Sequence, residues 1–340
     1  MRSDRALLVA AGGGIGDTLL ATVVARALRT RYAHVDALVL PAHRELAERV
    51  PDLERVFSLD GSALEIGRRL GRERFAAAVV TWATLLTAEI PLLARIPVRA
   101  GQARRLYSGL FTDRVVVRSE RGDHATHWTQ ILLDYARAIG CDTSDARPRI
   151  VTTPADERDA TALLHVHEVT GPFALLHPTR GLSAQRARWP IGGFVELSRA
   201  LTAREGLPLL VTGAAADARI AHAIAEGADR TVLSIAGATS IGGFAALARR
   251  AAFVVAMDSG PMHVAAAAGA PTVGIFALQS DEPDRWAPLG AHTAVIRPSY
   301  PCPPDHRKET CPDFACVRAL DVDAILAAVD DVRAVSPKTT

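Results

Sequence analysis

The 340-residue chain is poor in aromatic residues, at 5% of the total, and contains only four cysteines. So few cysteines in a chain of this length do not indicate a disulfide framework. The formal net charge is only +2, so no overall charge excess favours binding to a nucleic acid. No apolar run is long enough for a membrane-spanning helix, and residues 6–11 are too short a run for a signal peptide. We therefore expect a cytoplasmic protein.

Hydrophobic residues make up 49% of the chain, enough for two cores. Apolar runs alternate with amphipathic helical patterns, which is typical of βαβ units and a mostly parallel sheet. Each half of the chain shows this alternation, and the proline-containing segment 147–154 suits a linker. We expect an α/β protein with domains at residues 1–160 and 161–320. Residues 321–340 would form a C-terminal helix and tail that could pack back on the N-terminal domain.

The first apolar run ends in the turn Gly-Gly-Gly-Ile-Gly-Asp, at residues 12–17. A dinucleotide fingerprint would need a glycine at Asp17, and the second predicted strand, residues 35–40, ends without the acid that would hold a ribose. Asp17 could simply cap the following helix. Alternatively, it faces a substrate as a general base. Gly13, Gly14 and Gly16 would then let a sugar approach the backbone closely.

A second polar segment follows the predicted strand at residues 173–177. Its hydroxyl and guanidinium groups suit a diphosphate. These groups belong to Thr179, Arg180, Arg186 and Arg188. The alternative is a solvated basic loop in which Trp189 is a core anchor.

A third segment, residues 257–270, predicts a strand–turn–helix unit. Asp258, Ser259 and Gly260 follow an apolar strand, and Pro261 suits the first helical position. Free N–H groups at the start of that helix form an anion site, which His263 could reach. The small residues that follow predict close packing of the helix on its sheet. The alternative is a capping aspartate with a histidine in the core.

These segments together resemble a known family. The resemblance rests on the phrases GGGIGDTLLATVVARALR, LLHPTRG, RWPIGGFVELSRAL, IAGATSIGGFAALARRAAFVVAMDSGPMHVAAAAGAPTVGIFA and CPPDHRKETCPDFACVRALDVDAIL. They are similar to those of glycosyltransferase family nine, the ADP-heptose:lipopolysaccharide heptosyltransferases. The resemblance extends from residue 7 to about residue 332, and segment 239–276 is its most specific part.

The resemblance implies a GT-B fold, in which two Rossmann-like, doubly wound parallel-sheet domains face each other across a cleft. The N-terminal domain would bind the acceptor and the C-terminal domain an ADP-sugar, with inverting chemistry, no metal and no cofactor. Asp17 matches the family's candidate general base. The residues that match its donor-binding positions are Thr179, Arg180, Asp258, Ser259, Gly260 and His263.

Two positions depart from the family pattern or match it less closely. The family usually places a lysine two residues before the Trp-Pro pair, where this chain has Ala187. Arg186 or Arg188 would supply that charge. Asp217 is the nearest match to an acid near the second strand of the C-terminal domain.

The sequence indicates the residues that would bind the acceptor less specifically than those that would bind the donor. Five arginines lie in segment 92–117, namely Arg95, Arg99, Arg104, Arg105 and Arg114. They could meet an acidic glycolipid acceptor at the inner membrane face, with Arg99, Arg104 and Arg105 near the sugar, or form a solvated surface. The cysteines Cys302, Cys311 and Cys316 could bind a metal, but their spacing is unlike a common zinc site and favours a buried structural loop.

The predicted function is transfer of a heptose or related sugar from an ADP-sugar to a hydroxyl of a lipopolysaccharide core or related glycan. A nucleotide-sugar epimerase on the same fold and a non-catalytic sugar-nucleotide-binding protein are the alternatives. A nicotinamide oxidoreductase is disfavoured because the fingerprint is broken at Asp17.

Overall fold

The computed structural model describes residues 4–179, 189–303, 306 and 311–334. The chain divides into two compact units, residues 1–151 and 152–340. Each unit contains a six-stranded sheet in which all neighbouring strands are parallel.

The first unit alternates strands and helices. Its strands are β1 (Arg5–Ala10), β2 (His34–Val39), β3 (Val56–Ser58), β4 (Ala77–Val80), β5 (Val98–Gln102) and β6 (Asp113–Val115). Its helices are α1 (Ile15–Ala21), α2 (Val23–Arg29), α3 (Arg44–Ala47), α4 (Ala63–Gly71), α5 (Leu85–Leu93) and α6 (Trp128–Arg137). The strand order is β3-β2-β1-β4-β5-β6, so the direction of winding reverses between β1 and β4.

The local sequence explains these elements. All four residues of β4 are buried, as are five of the six in β1, as expected for central parallel strands covered on both faces. Helix α4 begins with a capping box, in which the Ser62 hydroxyl accepts from the N–H of Glu65 and the Glu65 carboxylate accepts from the N–H of Ser62. Its buried residues Ile66 and Leu70 lie one turn apart and face the sheet.

The second unit has the same organisation. Its strands are β7 (Ala174–His177), β8 (Leu209–Val211), β9 (Val232–Ser234), β10 (Val254–Met257), β11 (Thr272–Ile275) and β12 (Thr293–Ile296). Its helices are α7 (Pro154–Val166), α8 (Ile191–Glu205), α9 (Ala218–Gly227), α10 (Ile241–Arg250), α11 (Gly260–Ala267), α12 (Pro283–Trp286) and α13 (Val322–Ala334). The order β12-β11-β10-β7-β8-β9 reverses between β7 and β10. The prediction of two doubly wound parallel sheets with flanking helices is confirmed.

The core of the second unit includes α13. Its buried residues Ile325 and Val329 pack in the same apolar cluster as the strands, and the helix contacts β11, β12 and α8. Residues 322–334 therefore pack in the core of the second unit. Among the described residues, none of the helices is both long and apolar enough to span a bilayer.

Candidate active site

The reversal between β1 and β4 places two loops side by side at the carboxyl edge of the first sheet. In open α/β sheets this point is where ligands bind. The indole of Trp82, which follows β4, covers the backbone of Gly12, which follows β1. A Cβ added to Gly12 would lie 2.0 Å from Cδ1 of Trp82, so only glycine fits beneath the ring.

A small pocket opens at this edge of the first sheet. The residues that line it are Ala10, Gly12, Asp17, Ala21, Thr81, Trp82, Trp128 and Leu132. Two indoles and one carboxylate in one concave site suit a sugar, since aromatic faces pack on sugar C–H groups while the carboxylate contacts a hydroxyl.

Asp17 is the third residue of α1 and is half-buried. Its Oδ2 accepts a 2.7 Å hydrogen bond from the backbone N–H of Gly14, the residue before the helix. Burial raises the pKa of the Asp17 carboxyl above its ordinary value, while the N–H of Gly14 and nearby His43 oppose that shift. The bond accounts for one of about four acceptor positions of a carboxylate, so capping and a catalytic role are compatible.

Gly13 makes this arrangement sterically feasible. It adopts a positive φ of 69°, and a Cβ there would lie 2.5 Å from Oδ2 of Asp17. Gly14 directly precedes α1, and Gly16 is buried within it. The predicted glycine turn thus holds the Asp17 carboxylate close to the backbone.

His43 and Thr18 support this edge and were not predicted as site residues. The Oγ1 of Thr18 lies 2.8 Å from Nδ1 of His43, and both side chains are buried. Burial lowers the pKa of His43, and the negative charge of Asp17 opposes that shift. The only feature of the sequence that could have indicated His43 as a site residue is its position in the short turn Pro41–His43, which follows β2.

In the second unit, the reversal brings the carboxyl ends of β7 and β10 together, with Ala256 paired to His177. Thr179 lies two residues beyond β7 and is 5% exposed. Asp258 follows β10 directly, and its N–H donates to the carbonyl of Ile275 on β11. The two predicted donor segments therefore lie at one edge of one sheet.

Four side chains form a connected hydrogen-bonding chain at this edge. His177 Nδ1 lies 2.9 Å from Oγ1 of Thr212, and His177 Nε2 lies 3.1 Å from Oγ1 of Thr179. The Thr179 hydroxyl also donates to Oδ2 of Asp217 at 3.3 Å. Burial lowers the pKa of His177 to about 4, against the opposing effect of Asp217, so the imidazole is neutral near pH 7. A neutral imidazole has one donor and one acceptor nitrogen, which suits two hydroxyl partners.

Helix α11 begins at the same edge. Ser259 precedes it in an extended conformation, and its hydroxyl donates to the carbonyl of Met257 at 2.9 Å, so this side chain does not cap the helix. Gly260 is the first helical residue and Pro261 the second, one position later than predicted. The start of α11 is therefore a candidate anion site, at which backbone N–H groups rather than the Ser259 side chain would be the donors.

The rest of α11 packs closely on the sheet, as predicted. A Cβ added to Gly274 on β11 would lie 2.6 Å from the sulfur of Met262, so the Met262 side chain packs directly on this glycine. His263, the fourth residue of α11, is buried, and its role toward a ligand stays a prediction.

Comparison with known proteins decides the family. The sequence model of glycosyltransferase family 9 (heptosyltransferase) matches residues 63–313. The chain belongs to this family.

Its similarity to individual members extends over most of the chain. Lipopolysaccharide heptosyltransferase 2 of Salmonella typhimurium is 27% identical over 309 residues, which cover 86% of this chain and 87% of that protein. The structure of a family 9 glycosyl transferase from Veillonella parvula superimposes with a TM-score of 0.82 at 18% identity, over 99% of both chains. The E. coli ADP-heptose lps heptosyltransferase II superimposes with a TM-score of 0.76 at 22% identity, over 96% of this chain and 98% of that one. The two structures match this chain in fold.

The remaining residues expected from the family pattern fall into different places. Arg180, Arg186 and Arg188 lie outside the described residues. Asp217 directly precedes α9 and accepts a hydrogen bond from Thr179, so it lies at the same carboxyl edge of the second sheet, and its role toward a donor stays a prediction. Trp189 is 5% exposed and packs against Phe194 at a ring separation of 4.9 Å, which confirms the interpretation of Trp189 as a core anchor.

The acceptor-side arginines of this family member differ from one another. The Arg99 guanidinium donates to the carbonyls of Ile96 and Leu110, which gives it a structural role. Arg105 pairs with Glu120 at 2.9 Å, whereas Arg104 is exposed and adopts a positive φ of 60°. The contact of these arginines with an acceptor stays a prediction.

The cysteine loop is only partly described. Cys311 Sγ accepts a hydrogen bond from the N–H of Phe314, and Cys316 is buried, which fits a structural loop. Residues 4–179, 189–303, 306 and 311–334 contain no group of three or more histidine, cysteine or acidic side chains that could hold a metal ion.

Proposed function

We propose that this family 9 member is an inverting transferase that moves a heptose from ADP-heptose to a hydroxyl of a lipopolysaccharide core. The proposal rests above all on one observation. Asp17 lies where the first sheet reverses its winding, and Thr179 and Asp258 follow β7 and β10, the two strands between which the second sheet reverses. The family match and the similarity to a protein named lipopolysaccharide heptosyltransferase 2 support the sugar and the acceptor class.

In the proposed reaction, Asp17 is the general base. Its carboxylate takes the proton of an acceptor hydroxyl while that oxygen forms a bond to the anomeric carbon of the heptose. The bond from this carbon to the β-phosphate oxygen breaks on the opposite face, and ADP departs with the electron pair. A carboxyl whose pKa is raised by burial holds this proton better than an ordinary aspartate does.

The second unit would stabilise the leaving ADP. The first-turn N–H groups of α11 are donors that suit the negative charge developing on the diphosphate. The Thr179 hydroxyl, which donates to Asp217, lies at the same edge of the sheet. Asp258 would hold sugar hydroxyls, and Arg180, Arg186 and Arg188 would add positive charge. Because ADP is already a good leaving group, we infer a reaction without metal, and transfer should persist in excess EDTA.

We infer a glycolipid acceptor and a cytoplasmic location, with peripheral contact at the inner membrane face. The acceptor would bind in the first unit, where Trp82 and Trp128 lie beside Asp17. The ADP-sugar would bind in the second unit.

Mass spectrometry of the products tests the proposal. We expect the full chain, given ADP-heptose and a heptose-free lipopolysaccharide core, to add one heptosyl unit and to release ADP only when the acceptor is present. An isomerised sugar nucleotide formed from donor alone would instead support the epimerase alternative. Donor binding without any product across a panel of core acceptors would support a non-catalytic binding protein.

A further inference from the structure

An exposed apolar cluster lies directly beside the Asp17 pocket. Its members, which we call the apolar rim, are Trp82, Leu85, Leu86 and Leu106, with exposed fractions of 41%, 56%, 38% and 106%. Large apolar side chains with this exposure are costly in water unless another surface covers them. The apolar rim therefore requires an explanation beyond the fold of the first unit.

Contacts within the first unit hold the apolar rim together. The Thr87 hydroxyl donates to the carbonyl of Trp82 at 2.9 Å, which fixes the entry into α5. The Tyr107 hydroxyl donates to the carbonyl of Ala83 at 2.6 Å, and this bond brings Leu106 beside the start of α5. The leucines are thus presented on ordered backbone.

The apolar rim is continuous with the candidate acceptor site. One face of the Trp82 indole covers Gly12 and lines the Asp17 pocket, while the same residue remains 41% exposed. Leu92 and Leu93, which are 41% and 39% exposed, lie two turns after Leu85 and Leu86 and therefore on the same side of α5. The exposed apolar face of α5 thus extends from the rim beside the pocket to the end of the helix.

The charge around the rim identifies its partner. Residues 82–121 contain seven arginines and three acidic residues, a larger positive excess than the +2 of the whole chain. Arg95, Arg104, Arg114 and Arg121 in this segment are exposed. Tryptophan and leucine flanked by arginines are the composition of surfaces that insert shallowly into anionic bilayers. A second copy of the chain fits less well, because a symmetric contact would bring the arginines of both copies together.

We propose that the apolar rim and the exposed arginines beside it dock onto an anionic lipid bilayer and hold the lipid-linked acceptor with its sugar at the Asp17 pocket. The acceptor part of this inference rests on the proposed function. The docking part does not, because it depends only on the apolar and charged side chains of the first unit.

Vesicle flotation with the full chain tests the docking. We expect binding to phosphatidylcholine vesicles that contain about one third phosphatidylglycerol, weaker binding to phosphatidylcholine alone, and release by high salt. The double variant Leu85→Ser/Leu106→Ser should bind about tenfold more weakly, because it removes two apolar side chains from the rim. Val166→Ser is the matched control, since Val166 is 76% exposed at the end of α7 in the second unit, and it should bind like the wild type.

Wild-type binding by the folded double variant would overturn the proposal, as would the absence of wild-type binding to anionic vesicles. Loss of self-association in the double variant, with no vesicle binding by the wild type, would assign the rim to a protein contact instead. If the double variant does not fold, Leu106→Ser alone serves, because that side chain is fully exposed and its loss should still reduce binding.

Transfer assays separate this inference from the proposed function. The double variant should transfer heptose normally to a soluble, deacylated core and poorly to the same core in vesicles. Vesicle binding with no transfer to either acceptor would contradict the proposed function and leave the docking surface intact. Equal transfer to both acceptors by wild type and variant would contradict the acceptor-positioning role of the rim.

Discussion

The carboxylate of Asp17 accepts a 2.7 Å hydrogen bond from the backbone N–H of Gly14 at the carboxyl edge of the first sheet. This bond fixes the carboxylate in the pocket lined by Trp82 and Trp128. Because burial nevertheless raises the pKa of Asp17, the charged form is less favourable here than in water, as expected for a group that must accept a proton.

The acidic limb of the pH–rate profile should report Asp17. Since burial raises its pKa above the ordinary value of 3.8, kcat/KM should fall with decreasing pH through a pKa above 3.8. Rate measurements on the wild type across this range, with unfolding monitored at each pH, test the assignment. A limb at or below 3.8 would contradict it.

The same shift predicts the stability of Asp17→Asn. A carboxyl whose folded-state pKa is raised stabilises the fold only while protonated, and that contribution is lost as the pH rises through the folded-state pKa. At pH 7 the ionised carboxylate therefore adds no such stability, and Asp17→Asn should unfold at the same denaturant concentration as the wild type or at a higher one. A clearly lower midpoint would show that the carboxylate is mainly structural.

Gly12→Ala should impair acceptor binding. Its Cβ would lie 2.0 Å from Cδ1 of Trp82, so the indole must leave its position over the turn. We expect the KM for acceptor to rise about tenfold, as for loss of one aromatic contact of about 1.4 kcal/mol, while donor affinity stays unchanged. Gly171→Ala is the control, because no atom lies within 4 Å of its added Cβ. An unchanged KM for acceptor would place the acceptor elsewhere.

His177→Met should weaken donor binding. The substitution keeps a buried side chain but removes the acceptor or donor nitrogen 3.1 Å from the Thr179 hydroxyl, which is then no longer oriented by the imidazole. We expect calorimetry to show about tenfold weaker binding of ADP, as for one lost hydrogen bond.

The variant His177→Gln should recover part of this loss of ADP affinity. Since the pKa of His177 is about 4, wild-type ADP affinity should show no titration of this group between about pH 6 and 8. Unchanged affinity in His177→Met would leave His177 with a packing role only.

Asp36→Ala should separate stability from catalysis. The fully buried Asp36 on β2 pairs with Arg5 and Arg55 at 2.8 and 2.7 Å, near the amino ends of the strands and away from the site edge. Removing the carboxylate leaves two arginines without their central partner and should reduce the free energy of unfolding by about 3 kcal/mol. Denaturant titration measures this loss, while kcat per folded molecule should remain that of the wild type. A stability change below about 0.5 kcal/mol would contradict the structural role of the pair.

The polar residues that follow the central strands could be predicted from the sequence, because each of these strands is an uninterrupted apolar run. This pattern located Asp17 after β1 and Asp258 after β10. Trp82 and Trp128 were not found, since only the tertiary fold brings them to Asp17. Helix α5 was also missed, because its apolar residues show little helical periodicity and Pro91 lies inside it.

Helix α7, the first helix of the second unit, was not predicted. Thr153 caps helix α7 and Asp156 accepts from the N–H of Thr153, which is a capping box visible as Thr-Pro-Ala-Asp. Segment 147–154 was predicted as a linker because of its prolines and polar residues, and residues 147–153 do lie outside helices and strands. Pro154, however, occupies a first-turn position of α7, where proline is favourable. The last two residues of this segment, Thr153 and Pro154, therefore begin helix α7.

The most direct test of the central claim compares wild type and Asp17→Asn in single-turnover transfer from ADP-heptose to a lipopolysaccharide core, with ADP-heptose affinity measured on the same samples. Loss of a general base should slow transfer about a thousandfold. The affinity for ADP-heptose should stay unchanged, because we assign the donor to the second unit. Transfer by Asp17→Asn within about tenfold of the wild-type rate would contradict the account.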